Sequence, residues 1–287
     1  MVVLLGSFVV VACVIMGFVL SGGHVGALIH PTEILTIGGA LLGSMIIMAP
    51  VKVMKDLVKQ IIGSIVGSPF SKAAYQELLK LMYDLFRHAR KNGMLALESH
   101  LAHPHDSSIF QKYPRIHKNH HATEFICGLM TPVMDGSISP DKIPMMAEME
   151  IKSLEDEHHA PIAVLTKGSD SLPGFGIVAA VLGIVITMGH INGPVEEIGH
   201  KVGAALVGTF LGILASYGFI GPLCTKLEFM GHAEIAFFKC IAATIGGFVT
   251  DLPPKVALEM ARRGLPSEVR PSGEELEKLF KEVEASG

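Results

Sequence analysis

The chain has 287 residues, of which 49% are hydrophobic and only 17% are charged, and its formal net charge is −4. This composition, with a mean hydropathy of +0.47, excludes an ordinary soluble globular domain and is typical of an integral membrane protein. The negative net charge also argues against a nucleic-acid partner.

Four uncharged runs are long enough to cross a bilayer as helices. They predict membrane spans over residues 2–20, 34–51, 171–190 and 202–225. The first run lacks the basic flank and the small-residue cleavage site of a signal peptide, so we expect it to stay in the protein. The fold class is therefore predicted to be an all-α integral membrane protein with two transmembrane hairpins, 1–51 and 171–226.

The distribution of lysine and arginine predicts the orientation in the membrane. Of the 23 basic residues, none precedes Lys52, fourteen lie from Lys52 up to the third span, one lies between the last two spans, and eight follow the fourth span. The positive-inside rule then places both termini, the helical segment 52–170 and the helical tail 227–287 in the cytoplasm.

The first cytoplasmic helix is predicted from its apolar period. It begins after Ser71, a suitable N-cap, and ends at Gly93. Its single apolar face consists of Tyr75, Leu78, Leu79, Met82, Leu85, Phe86 and Ala89. Charged residues, among them Asp84 and Arg90, are expected on the other faces, and a short helix that carries Glu98 follows. From the residues alone, these charges are interpreted as a solvated surface.

A histidine-rich segment comes next. It contains His100, His103, His105, His117, His120 and His121. Closely spaced imidazoles can bind a metal, which leaves open a metal-binding transporter or enzyme. However, Pro104 and Pro114 interrupt the segment, which has no companion cysteine and no H-E-x-x-H arrangement. We therefore expect a solvated loop with no metal.

The next helix is predicted to begin at Ser139 and to present an acidic, solvated face that includes Glu150. The third span follows, with Pro173 expected in its first turn, where a missing N–H costs least. One flank of this span is made of small residues: Gly174, Gly176, Ala179, Ala180 and Gly183. Flanks of this kind pack against other helices in membranes.

The fourth span carries a G-x-x-x-G pair and two hydroxyl residues. Gly208 and Gly212 form the pair, and Thr209 and Ser216 are expected to share a face because they are seven residues apart. Hydroxyls within membranes often bond back to the carbonyl four residues earlier, and Thr209 is interpreted in this way from the residues alone.

The C-terminal tail is predicted to continue as helix, to break at Pro253 and to start again after Ser272. Ser272 and Glu275 have the spacing of a capping box, in which each residue satisfies a backbone N–H of the other.

No chemical machinery is visible in the chain. It has no nucleophile with a neighbouring base, no phosphate-binding loop and no dinucleotide fingerprint, so we expect neither an enzyme nor a cofactor. An ion pathway normally needs a titratable group near the middle of the bilayer, and no span interior contains one. If the protein conducts ions, a partner must supply the carboxylate.

Three stretches together resemble one family. They are D-S-L-P-G-F-G-I-V-A-A-V-L-G at 170–183, V-G-T-F-L-G-I-L-A-S-Y-G-F-I-G-P-L at 207–223 and R-P-S-G-E-E-L-E at 270–277. With the four-span topology they are similar to the MotA family of flagellar motor stator subunits. The resemblance implies a homopentamer in the bacterial inner membrane, around two copies of a MotB-like single-span partner whose aspartate completes a proton channel.

The resemblance assigns a coupling role to residues in the last two spans. It implies that Pro173 and Pro222 couple ion passage to movement. It also implies that Thr209 is the hydroxyl facing the partner's aspartate and that Tyr217 and Ala180 line the same helix interface.

A second set of residues is implied to bind the rotor. Arg90 and Glu98 match a charged cytoplasmic pair that faces the rotor protein FliG, and Glu150 matches a third position. The resemblance thus reverses the interpretation of Arg90 and Glu98 as plain surface charges.

The coupling ion is expected to be the proton. Sodium-driven relatives carry threonines at the positions that hold Ala180 and Gly208 here, and those oxygens would replace part of a cation's hydration shell.

The alternative is an energiser of biopolymer transport resembling ExbB or TolQ. Those relatives have one span before the cytoplasmic segment, whereas this chain has two, and the topology therefore favours the stator subunit.

Overall fold

The computed structural model describes residues 2–286, whose secondary structure is entirely helical. The α-helices are α1 Val2–Leu20, α2 Pro31–Met48, α3 Val51–Val66, α4 Lys72–Asn92, α5 Glu98–Ala102, α6 Pro114–His117, α7 His120–Met134, α8 Ile143–Met188, α9 Val195–Ile213, α10 Gly221–Val249, α11 Pro254–Arg263 and α12 Gly273–Ser286. A π-helical segment, Leu214–Ile220, joins α9 to α10. The predicted all-α class is confirmed.

Four helical stretches are long and apolar enough to cross a membrane. They are Val2–Leu20, Val25–Met48, Pro140–Met188 and Val195–Val249. α1 has the predicted limits, whereas α2 begins three residues before its predicted span, because Pro31 fits the first helical position. The third stretch begins well before its predicted span, and the fourth ends well after its predicted span.

The chain divides into two compact units. The first unit comprises the residues up to Gly67 together with Glu157–Met230, and the second comprises Ser68–Asp156 together with the residues from Gly231 onward. The predicted boundaries at 52 and 170 separate the expected membrane spans from the expected cytoplasmic segment. The two compact units instead group residues that pack together. The boundaries at 52 and 170 remain a prediction.

The third span corrects an expectation about Pro173. This proline does not lie in a first turn, because α8 runs for 46 residues without a break and contains Pro161 and Pro173 in its interior. A proline inside a helix removes one backbone hydrogen bond, here the one that the Ser169 carbonyl would accept. Buried helix contacts on both sides of the proline keep the helix continuous, as neighbouring helices do in membranes. Pro173 therefore marks a point where the ladder of α8 lacks a bond.

The second unit is built around α4. All seven residues of its predicted apolar face are buried, and the helix ends at Asn92, before Gly93 with its φ of 89°. The expectation that Asp84 lies on a solvated face is wrong, since Asp84 is only 8% exposed. Its Oδ2 accepts hydrogen bonds from Lys112 Nζ at 3.1 Å and Tyr113 Oη at 3.4 Å. The spacing of apolar residues in α4 did not predict the burial of Asp84, because the segment that follows α5 packs against a second side of α4.

The C-terminal helices pack against α4. The rings of Tyr83 and Phe280 lie 4.4 Å apart, and Tyr83 Oη donates to Glu284 at 2.6 Å. The predicted capping box at the start of α12 is confirmed: Glu275 N donates to Ser272 Oγ at 3.1 Å, and Ser272 N donates to Glu275 Oε2 at 2.7 Å. The tail is thus a structural part of the second unit.

Candidate functional site

In the first unit, α8 and α9 approach so closely that their backbones touch. A Cβ on Gly176 would lie 2.9 Å from the carbonyl oxygen of Gly208 and 3.2 Å from the Cα of Gly212. A Cβ on Gly212 would lie 2.6 Å from the carbonyl oxygen of Leu172. The predicted packing of the small flank is confirmed except at Gly174, which is exposed and has no neighbouring atom within 4 Å; the backbone contact is made by Gly176 and Gly212. These glycines are needed because no other residue fits between the two backbones.

Ala180 lies at the same crossing. It is 7% exposed, and its backbone N would lie 3.4 Å from a Cβ on Gly208. Ala180 and Gly208, the two positions used above to predict the coupling ion, are thus adjacent, and neither residue has a side-chain oxygen.

An acidic side chain also reaches this crossing. Glu33 Oε2 would lie 3.0 Å from a Cβ on Gly208. Glu33 lies in the first turn of α2, and its carboxylate is oriented toward α9. No role was assigned to this residue from the sequence. The signal was present: Glu33 lies four residues before Ile37, which is 5% exposed, so the two share the inward face of α2.

The hydroxyl of Thr209 is not engaged as expected. Thr187 Oγ1 donates to the Gly183 carbonyl at 2.8 Å, and Ser171 Oγ donates to the Lys167 carbonyl at 2.8 Å. Thr209 makes no such bond to any residue that the structure describes, although it lies beside Gly176 at the crossing. Its hydroxyl therefore has bonding capacity to offer to another molecule.

Ser216 lies within the π-helical segment, which follows the end of α9, the helix that carries Thr209. Ser216 is buried, and its Oγ and its carbonyl lie 3.3 Å and 3.4 Å from Ser169 Oγ. Thr209 lies beside Gly176, and Ser216 contacts Ser169, seven residues earlier on α8. Both residues therefore face α8, as their seven-residue spacing predicts. The carbonyl of Ser169 is the one that lacks a hydrogen bond because of Pro173. The side chain of Ser169 therefore joins this point of α8 to the π-helical segment, which ends shortly before Pro222.

Tyr217 lies in the same π-helical segment but points elsewhere. Its side chain is 72% exposed, whereas Ala180 is buried at the α8–α9 crossing. Tyr217 and Ala180 therefore do not lie in the same helix–helix contact within one chain. Pro222 is the second residue of α10 and is exposed.

The three residues predicted to bind a rotor all belong to the second unit. Arg90 Nη2 donates to Asp251 Oδ1 at 3.3 Å and to the Leu252 carbonyl at 3.4 Å. Its guanidinium carbon lies 5.5 Å from the ring centre of Phe248. Asp251 itself adopts a φ of 66°, the left-handed conformation that only a few residue types tolerate. Sequence reasoning missed this contact, because it joins residues 161 positions apart.

Glu98 and Glu150 differ from Arg90 in their surroundings. Both are exposed, and no ion pair joins either carboxylate to another described residue. Leu95, between Arg90 and Glu98 in sequence, is 72% exposed. The tip after α4 therefore presents an acidic and an apolar side chain to solvent.

The histidines form ring contacts. His105 lies 5.4 Å from His117 and 5.0 Å from His120, measured between ring centres. His100 Nδ1 lies 2.8 Å from Ser107 Oγ, and burial lowers the pKa of His100. Over residues 2–286, no group of three potential ligands has a geometry that could hold a metal ion.

Comparison with known proteins decides the family. A model described as motility protein A N-terminal matches residues 4–93, and a model of the MotA/TolQ/ExbB proton channel family matches residues 117–238. Motility protein A of Salmonella typhimurium is 38% identical over 283 residues, which are 99% of this chain and 96% of the relative. The chain belongs to the motility protein A family. The resemblance seen in the sequence is thereby confirmed.

Further relatives and solved structures agree. Motility protein A of Escherichia coli is 37% identical over 99% of this chain and 96% of its own length. The fold matches the MotAB structure of C. jejuni with a TM-score of 0.77, at 20% identity, over 94% of this chain and 98% of that one. It matches the flagellar MotAB stator complex of Bacillus subtilis with a TM-score of 0.72, at 24% identity, over 93% and 96%.

The family also bears on two alternatives, an enzyme and an energiser that resembles ExbB or TolQ. The family is one of proton channels rather than enzymes, and this member is a multi-pass membrane protein. The ExbB/TolQ alternative is not favoured, because the N-terminal match includes both α1 and α2 and because the full-length relatives are motility proteins.

Proposed function

We propose that the chain is a stator subunit of the bacterial flagellar motor, which forms a proton channel with MotB and converts proton flow into rotation. The observation that carries the proposal is the full-length likeness to motility protein A, joined to a close α8–α9 crossing with an unengaged hydroxyl. The interiors of the predicted spans contain no aspartate or glutamate. A membrane aspartate from a single-span partner supplies the missing group.

The channel wall is formed by the α8–α9 crossing. Thr209 faces the partner's aspartate, since its hydroxyl bonds to no described residue of its own chain. Ala180 and Gly208 leave no side-chain oxygen for a dehydrated sodium ion, which favours the proton. The exposed Tyr217 completes the wall by contacting the partner or a neighbouring subunit.

Pro173 and Pro222 transmit the protonation of that aspartate. Each lies at a point where the helical hydrogen-bond ladder is incomplete, within the interior of α8 or directly after the π-helical segment. A proton that crosses 100 mV releases about 2.3 kcal/mol. This is enough to bias two packings of a subunit ring but not to refold a helix, so the motion is a rigid-body rotation.

The assembly is a ring of five subunits around two MotB-like chains in the inner membrane. In this arrangement the charged tip of the second unit contacts the rotor protein FliG through Arg90, Glu98 and Glu150. The Arg90–Asp251 pair does not prevent this, because the Asp251 side chain is 94% exposed and surface ion pairs contribute only about 0–1 kcal/mol. A rotor carboxylate can therefore replace Asp251.

Charge reversal tests the rotor contact. We expect the double variant Arg90→Glu, Glu98→Lys to reduce swimming speed by more than half while the protein still inserts and conducts protons, since like charges across an interface are unfavourable. Swimming is measured by tracking cells, and membrane content by immunoblotting. Lys118→Glu, at an exposed position of the same unit, is the control and should swim normally. Normal swimming of the double variant would contradict the rotor role.

A further inference from the structure

Helix α3 follows α2 after only Ala49 and Pro50. One side of α3 is fixed by packing within the first unit. Leu57 and Ser64 are buried, and Leu57 belongs to a cluster that includes Met45 of α2 and Ile162 of α8. These contacts determine which face of α3 remains uncovered.

The uncovered face carries an apolar stripe. Val51, Val58, Ile62 and Val66 are between 54% and 85% exposed. Their spacing of seven, four and four residues places them along one side of the helix. A contiguous apolar stripe of this kind marks a surface that contacts another protein or a membrane.

A row of lysines borders the stripe. Lys52, Lys55 and Lys59 lie three and four residues apart, on the flank next to Val51 and Ile62. Lys52 Nζ lies 2.9 Å from Glu157 and Lys59 Nζ lies 3.7 Å from Asp56, in ion pairs with exposed lysines. Lys55 has no carboxylate within 4.0 Å among the described residues. The uncovered face of α3 therefore has an apolar stripe with a row of lysines along one side of it.

We propose that this face of α3 binds anionic phospholipids of the bilayer, with acyl chains against the apolar stripe and headgroup phosphates against Lys55 and its neighbouring lysines. A helix with this pattern lies in the plane of the membrane interface. The face is continuous along the chain with α1 and α2, the first of which has no buried residue and requires lipid around it. The proposal does not depend on the motor function.

Charge argues against a contact between the α3 faces of two chains. A symmetric contact between two α3 faces would set lysines against lysines, because each copy presents the same surface. Phospholipid phosphates provide the opposite charge, and acyl chains match the stripe. Lipid therefore satisfies both halves of the face at once.

The absence of tryptophan allows a direct test. Val58→Trp introduces a single reporter in the full-length protein, which is reconstituted into vesicles that contain brominated phosphatidylglycerol or brominated phosphatidylcholine at equal mole fraction. We expect phosphatidylglycerol to be enriched at the reporter about three- to fivefold, judged by quenching, and the enrichment to fall as salt is raised. Adding Lys55→Gln and Lys59→Gln should bring the ratio close to one.

Control variants make the outcome decisive. Val9→Trp, on exposed α1, reports quenching by acyl chains in general, and Lys118→Gln removes a lysine from the second unit without changing the ratio. Quenching of the Val9→Trp protein but not of the Val58→Trp protein would overturn the proposal, because the face would then be covered by protein. Equal quenching by both lipids, unchanged by the lysine substitutions, would also overturn it. Ile62→Trp replaces Val58→Trp if that protein does not insert.

Discussion

At the scale of single residues, the α8–α9 crossing depends on glycines that have no room for a methyl group. We expect Gly176→Ala to destabilise the protein by about 1–3 kcal/mol, because the new Cβ would meet the Gly208 carbonyl at 2.9 Å. Gly174→Ala is the matched control: a Cβ there meets no atom within 4 Å, and alanine favours helix by about 1 kcal/mol. Thermal unfolding of the purified chain in detergent measures both. Equal midpoints for the two variants would contradict the close crossing.

The hydroxyl of Thr209 forms no hydrogen bond with a described residue, so its removal breaks no such bond within the chain. Thr209→Val keeps the shape but deletes an oxygen that is proposed to face the partner's aspartate. Losing one hydrogen bond of about 1 kcal/mol should slow proton flux about fivefold. Thr187→Val removes a hydroxyl that only bonds back to Gly183, so its flux should be unchanged. A flux that falls only in the Thr187→Val protein would contradict the assignment.

At the scale of elements, the short helix α11 is fixed by an arginine that makes contacts in two directions. Arg262 Nε donates to Glu259 at 2.6 Å, and Arg262 Nη1 donates to the Pro271 carbonyl at 2.9 Å, just before α12. The hydrogen bonds from Arg262 and then Arg263 lower the pKa of Glu259 to about 2. The carboxylate therefore stabilises the junction of α11 and α12.

This junction predicts a pH dependence. A carboxyl whose pKa is lowered in the folded state adds stability above its unfolded pKa, and that stability is lost as pH falls from about 4.5 toward about 2. At pH 7, Glu259→Gln should cost about 1 kcal/mol after allowance for the partly exposed side chain. The difference from the unaltered protein should vanish near pH 2, as circular dichroism can follow. Glu268→Gln, at an exposed position, is the control, and a cost for Glu259→Gln that persists at pH 2 would contradict the ion pair.

Elements with a strong local signal could be predicted from the sequence. The seven apolar residues of α4 recur at helical spacing, and a capping box needs only Ser272 and Glu275. α1 is a single uncharged run. Signals that depend on tertiary packing were not predictable: α8 continues through Pro173 because helix contacts compensate for the missing bond, and Asp84 is buried by a segment that its own helix period does not reveal.

The candidate site was predictable to a similar degree. Small residues identified the α8–α9 crossing, since close backbone approach requires them. The contact of Arg90 with Asp251 was not predictable, because it depends on how the tail returns to α4. The π-helical segment Leu214–Ile220 has no recognisable signature in the residues themselves.

At the scale of the whole molecule, the residues proposed to form the channel and those proposed to bind the rotor lie in different units. The α8–α9 crossing lies in the first unit, and the charged tip lies in the second. α8 contributes residues to both units, and so does α10. Neither set is expected to do work alone, because the interiors of the predicted spans contain no aspartate or glutamate and the tip has no energy source. The chain therefore requires a partner that carries a membrane carboxylate.

Proton flux through the reconstituted protein tests this requirement most directly. The full-length chain is placed in vesicles with an internal pH dye, alone or with its single-span MotB-like partner in a form that leaves the channel open, and a potential is applied. We predict that the complex acidifies the vesicles, that the chain alone does not, and that replacing the partner's membrane aspartate by asparagine abolishes the flux. Conduction by the chain alone, or by the complex without that aspartate, would contradict the account.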